Sequence, residues 1–168
     1  MKPFLSLWLV LLSSTALAQA TPHRHGVGQL DVVVDAARLE VVLQVPQHDL
    51  VGFERAPRGA REQVTVQATL EKLGDPDRLF EFSPAARCRL LEKTLDAPLL
   101  TGAGGAVEGH ADVQARYVYR CEQPAALRDL RVEAFETFRR LHRLDIGLVG
   151  PRGQRAGTVS PRQPVFAW

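Results

Sequence analysis

Leu30-Asp31-Val32-Val33-Val34, then Asp35-Ala36-Ala37-Arg38, then Leu39-Glu40-Val41-Val42-Leu43-Gln44-Val45 is the stretch that decides the fold. Apolar residues recur at every second position on both sides of a short polar break, the signature of two half-buried strands. With the turn centred on Ala36-Ala37, antiparallel pairing sets Leu30 against Leu43, Val32 against Val41 and Val34 against Leu39. Each apolar side chain then meets an apolar partner on the same face, the condition that fixes register.

Extended outward, the same register opposes His25 to His48. Directly opposed residues in a sheet have Cβ atoms roughly 4.5–5.5 Å apart. Two imidazoles at that spacing can share one tetrahedral zinc. Pro46 stands before His48 and interrupts the ladder more than it interrupts the proximity.

A second hairpin is expected from Arg87–Leu95 and Asp112–Cys121, in which Val113, Ala115, Tyr117, Tyr119 and Cys121 share one face. Cys88 and Cys121 are the only cysteines, and a sparse, even pair in an exported chain reads as one disulfide. The other reading is a thiolate metal pair, which export disfavours. Pairing Cys88 with Cys121 sets Leu90 against Tyr119 and Thr94 against Ala115. Closing a loop of roughly thirty residues adds about 3–4 kcal/mol by the chain-entropy argument. His110 and Asp112 then stand at the end of this hairpin remote from the crosslink.

The remaining segments follow from periodicity and punctuation. Residues 58–73 read as a helix, with Pro57 at its start, Val66, Leu70 and Leu73 as the apolar stripe, and Gly74 and Pro76 at its close. Asp75-Pro76 opens a further helical turn that delivers Leu79, Phe80 and Phe82 to the core. Residues 97–109 are a Gly-rich connector expected to be mobile. A strand near 129–133, a turn carrying Phe135, Phe138 and Leu141, and a hairpin 143–149/154–160 follow. The apolar tail Val165-Phe166-Ala167-Trp168 is expected to dock on the body.

The N-terminus reads as a secretory leader. Met1-Lys2 is a short basic start, Phe4 to Leu12 is an apolar run too short to span a bilayer, and Ala16-Leu17-Ala18 and Ala18-Gln19-Ala20 both fit a cleavage site. Residues 1–18 are therefore expected to be a signal peptide, cut after Ala18 or Ala20, and 19–168 a single domain with one core. The expected location is the periplasm, with no membrane insertion after the leader is removed. A formal net charge of +2, with dispersed arginines, lacks the footprint of a nucleic-acid binder.

His23-Arg24-His25-Gly26 would open the mature chain with two imidazoles one residue apart. The competing reading is a solvated arm. Glu54 offers a carboxylate ligand, or a partner for Arg55 or Arg58. Asp49 could orient an imidazole or cap a turn. His110 and Asp112 share a side if the edge of that strand is already extended. His142, among Arg139, Arg140 and Arg143, looks incidental. No Gly-x-Ser-x-Gly elbow and no His-Glu-x-x-His is present.

His23-x-His25-Gly26-x-x-Gln29-Leu30-Asp31-Val32, His48-Asp49-Leu50-Val51-Gly52-Phe53-Glu54-x-Ala56-Pro57, Cys88-Arg89-Leu90, His110-Ala111-Asp112-Val113 and Tyr117-x-Tyr119-x-Cys121 together resemble a known family. It is the exported domain-of-unknown-function family of Gram-negative bacteria that includes the periplasmic zinc-binding protein ZrgA. The resemblance spans essentially the whole mature chain and is most specific over His48–Pro57. It implies zinc binding tied to zinc uptake, with His25, His48 and His110 as ligands and His23, Glu54 and Asp112 as further candidates. Two departures stand out. The loop 97–109 lacks the His/Asp/Glu-rich run common in the family, and Arg55 stands where a histidine is frequent. One site, rather than several, is the expectation.

The sequence thus reads as a single α+β domain of mostly antiparallel hairpins with one main helix and one disulfide. Its expected role is to bind Zn2+ in the periplasm and buffer it or deliver it to an uptake system, such as the periplasmic component of a zinc ABC transporter. It is not expected to be an enzyme. Imidazole donors also suit copper and nickel. The competing readings are a structural or interaction module with incidental histidines and, third, a zinc-dependent hydrolase.

Overall fold

A computed structural model describes residues 24–102 and 112–168. The predicted leader, His23 and His110 lie outside the described residues, as does most of the Gly-rich connector. The first hairpin, β1 (Val27–Asp35) and β2 (Arg38–Pro46), has the register its alternation demands: Leu30 faces Leu43, Val32 faces Val41 and Val34 faces Leu39. These six side chains are buried.

β2 runs directly into a short helix, α1 (Gln47–Val51), followed by the main helix α2 (Ala60–Leu73). α2 starts two residues later than the periodicity suggests, because Gly59 (φ +85°) turns the chain into it. Val66 and Leu73 are buried and Leu70 packs partly against the core. Pro76–Arg78 form the expected helical turn and lead into β3 (Phe80–Phe82). Phe80 and Phe82 meet Tyr117 and Tyr119 edge to face, with ring centres 5.9 and 5.0 Å apart. The buried Tyr117 hydroxyl donates to the Leu73 carbonyl at the end of α2 (2.8 Å) and so ties helix to sheet.

The second hairpin joins β4 (Cys88–Asp96) to β5 (Asp112–Cys121), with α3 (Pro98–Thr101) between them. Cys88 and Cys121 form the disulfide, and Leu90 faces Tyr119. Beyond that point the expected register fails: a bulge between Leu90 and Glu92 sets Thr94 against Arg116, and Leu95, not Thr94, faces Ala115. β4 is an edge strand whose side chains are mostly exposed, so no buried face holds it to strict alternation. The connector after β4 is not featureless at its start, since α3 buries Leu100.

The chain closes with β6 (Asp129–Val132), α4 (Ala134–Thr137), β7 (Arg143–Gly150), β8 (Gly153–Val159) and β9 (Val165–Ala167). Six strands make the main sheet in the order β4-β5-β2-β1-β7-β8, and β3-β6-β9 make a smaller one. All pairs are antiparallel except β1 with β7. The tail docks as expected through β9, and the Phe166 ring lies over Gly157, where a Cβ would stand 2.7 Å from it. Among the described residues no helix is long and apolar enough to cross a membrane.

The pairing of β2 with β5 places the two hairpins side by side and ends with Pro46 opposite Asp112. The first residues of β1 and β5 and the last of β2 therefore share one end of the sheet. Cys121, whose N–H bonds to the Ala37 carbonyl, marks the other end.

Candidate metal centre

His25 occupies the turn that leads into β1. Gly26, beside it, has φ +79°, and a Cβ there would stand 2.9 Å from the His142 ring. Only glycine satisfies both demands. The Gly26 carbonyl accepts the N–H groups of His142 (2.8 Å) and Arg143 (2.9 Å), and its own N–H donates to Asp49 Oδ2 (2.7 Å). The main chain at His142 thus holds the turn, a role its surroundings in sequence do not advertise.

α1 sets the opposing side. Its first three residues point in different directions, as a 100° step per residue requires. Gln47 and Asp49 turn inward and are buried, while His48 stays half-buried and faces His25. The helix ends at Gly52 (φ +89°), whose N–H closes on the His48 carbonyl (2.8 Å). The expected pairing of His25 with His48 across a ladder does not occur, since β1 starts at Val27 and β2 stops at Pro46. The proximity does: the two rings stack with centres 4.4 Å apart and planes within 9°.

Carboxylates flank both rings. His25 Nε2 lies 2.8 Å from Glu54 Oε1, and His48 Nδ1 lies 3.5 Å from Asp49 Oδ1. The second distance is at the outer limit of a hydrogen bond, and the short bond of Asp49 is to Gly26. One buried carboxylate therefore touches the backbone next to the first histidine and the ring of the second.

Glu54 is brought to His25 by a residue not singled out from the sequence. The buried Gln47 carboxamide donates to the carbonyls of Phe53 (3.1 Å) and Arg55 (2.8 Å), folding the loop back over α1. Burying a carboxamide is costly unless it is bonded, and here its two N–H groups hold the residues on either side of Glu54. Arg55 is a clasp: its guanidinium makes two bonds of 2.7 Å to Glu62 in α2 and lies over the Phe53 ring. This guanidinium, with the Arg58 N–H, holds the Glu62 carboxyl down at about 2. The Arg55 guanidinium and the Arg58 backbone N–H both go to Glu62, while Glu54 lies against His25.

Asp112 accepts a hydrogen bond from the Gln44 carboxamide (2.6 Å) and lines a polar groove of about 560 Å³ with Arg24, Gln29 and Asp145. His23 and His110 fall outside the described residues. Among the described residues no three His, Cys, Asp or Glu side chains are grouped closely enough to hold a metal ion. The described part of the site is a pair of imidazoles with a glutamate against one of them.

A family model described as ZrgA family zinc uptake protein matches residues 22–168, nearly the whole chain. No curated protein matches the chain.

Proposed function

Because the chain belongs to the ZrgA family of zinc uptake proteins, we propose that it binds Zn2+ as cargo through His25 and His48, with His110 as third ligand. We propose further that it works in the periplasm, buffering the ion or passing it to an uptake transporter. The observation that carries the reading is the stacked ring pair, 4.4 Å apart and drawn from two separate segments. Two nitrogens on one tetrahedral zinc lie roughly 3.3–3.4 Å apart, so binding requires the rings to turn out of their stack until both face one ion. In a carboxylate–histidine–metal arrangement the nitrogen away from the carboxylate is the ligand. That is Nδ1 in His25, with Glu54 behind it, and Nε2 in His48, with Asp49 behind it.

His110 is proposed because covalent reach allows it. Asp112 faces Pro46, and two residues span at most about 7 Å on either strand. His48 is two residues past Pro46, and His110 is two before Asp112. Export is supported by the start of the family match at Pro22, just past both candidate cleavage sites. Neutral imidazoles are required, so affinity should fall on acidification.

Calorimetric titration of zinc into the mature chain tests the reading. One ion should bind, raising the melting temperature by mass action. His25→Ala, His48→Ala and His110→Ala should each weaken binding at least tenfold, while His142→Ala should not. Wild-type affinity in all three variants would refute the site.

A further inference from the structure

At the other end of the sheet is a cavity of about 390 Å³. Val34 lines it at the far end of β1 from His25, and the seven residue steps from Val27 to Val34 cover about 23 Å. It is separate from the histidine site. Its floor is apolar: Val34, Leu127 and Leu148 are buried, and Trp168 adds an aromatic wall.

Its rim is cationic. Arg128, Arg152 and Arg155 line the opening, and all three are exposed. The Arg152 guanidinium is fixed by the main-chain oxygens of Leu127 (3.1 Å) and Trp168 (3.0 Å). No carboxylate side chain among the described residues pairs with any of the three, although the chain's other exposed arginines include several so paired. Arg152 is already engaged by those main-chain oxygens, so Arg128 and Arg155 are the guanidiniums open to an incoming anion. A planar guanidinium also matches a carboxylate with two parallel hydrogen bonds.

We propose that this cavity binds a small amphipathic carboxylate, with its apolar body on Val34, Leu127, Leu148 and Trp168 and its carboxylate between Arg128 and Arg155. The size lies within the usual range for small-molecule sites, which pair an apolar lining with a few placed polar groups.

Octanoate is the probe, followed by amide NMR shifts and calorimetry on the mature chain, with octanol and octylammonium as uncharged and cationic controls. A ligand of this size at about 0.3 kcal/mol per heavy atom binds with Kd on the order of millimolar. Octanoate should saturate one site with shifts confined to the cavity lining, and octanol and octylammonium should bind more weakly. Arg128→Ala and Arg155→Ala should each weaken octanoate roughly three- to tenfold. Ala125→Trp, which fills the mouth from an exposed turn, should abolish binding, and His25→Ala should leave it unchanged. The proposal is overturned if octanol binds as tightly as octanoate, if both arginine variants bind it like wild type, or if Ala125→Trp leaves it intact.

Discussion

The two ends of the main sheet are fastened by different chemistry. Where β1 ends and β5 closes, the chain is held by the Cys88–Cys121 bond and by apolar packing beneath the Ala36 turn. Where β1 begins and β2 ends, the fastening is polar: buried Asp49 holds Gly26, and buried Gln47 holds the loop that carries Glu54. The contrast separates two duties. A covalent end gives stability that neither proton nor metal can alter. A hydrogen-bonded end positions ionisable side chains.

The largest effect should come from breaking the covalent end. Replacing Cys88 and Cys121 by alanine removes a crosslink across 33 residues and should cost about 3–4 kcal/mol in urea unfolding. Zinc affinity, read on the folded variant, should stay within a few-fold of wild type. A large loss of affinity would show that the two ends are mechanically coupled.

Breaking the polar end should do the reverse. Asp49→Ala leaves the buried Gly26 N–H without its acceptor, which should cost about 1–3 kcal/mol. It should also weaken zinc binding more than the cysteine changes do. Asp49→Asn keeps an acceptor and should recover most of the stability but less of the affinity. Equal affinity in wild type and Asp49→Ala would remove Asp49 from the account.

The smallest effect concerns the clasp that backs the Glu54 loop. Glu62 is held at about 2 against an ordinary 4.5, so the folded state favours its charged form. A depressed carboxyl contributes stability above its unfolded value and loses it as pH falls toward the folded one. The gap in melting temperature between wild type and Glu62→Gln should be full above about pH 5 and close between about 4.5 and 2. A gap that does not change with pH would mean that Arg55 and Glu62 do not form the clasp.

Much of this arrangement was legible in the sequence. Strict alternation in β1 and β2 fixes register because every one-residue slip would expose a buried valine or leucine. It also brings His25 close to His48 even though Pro46 diverts the chain into a helix before the ladder reaches them. The bulge in β4 was not legible, since its side chains face solvent and no pattern penalises an extra residue. Nor was Gln47, because a buried carboxamide is distinguished only by the carbonyls that surround it after folding. The parallel pairing of β1 with β7 joins segments more than a hundred residues apart, and no local signal connects them. The part played by Arg55 was not legible either, and only its contact with Glu62 shows that it backs the loop.

The central claim is that His25 and His48 face one zinc ion. X-ray absorption at the zinc edge, on residues 19–168 loaded with one equivalent of zinc, counts imidazole ligands directly. The account predicts nitrogen and oxygen donors at about 2.0–2.1 Å, no sulfur, and at least two imidazoles, with one lost in His48→Ala and another in the His25→Ala/His48→Ala pair. An unchanged spectrum in the double variant, bound as tightly as in wild type, would contradict it.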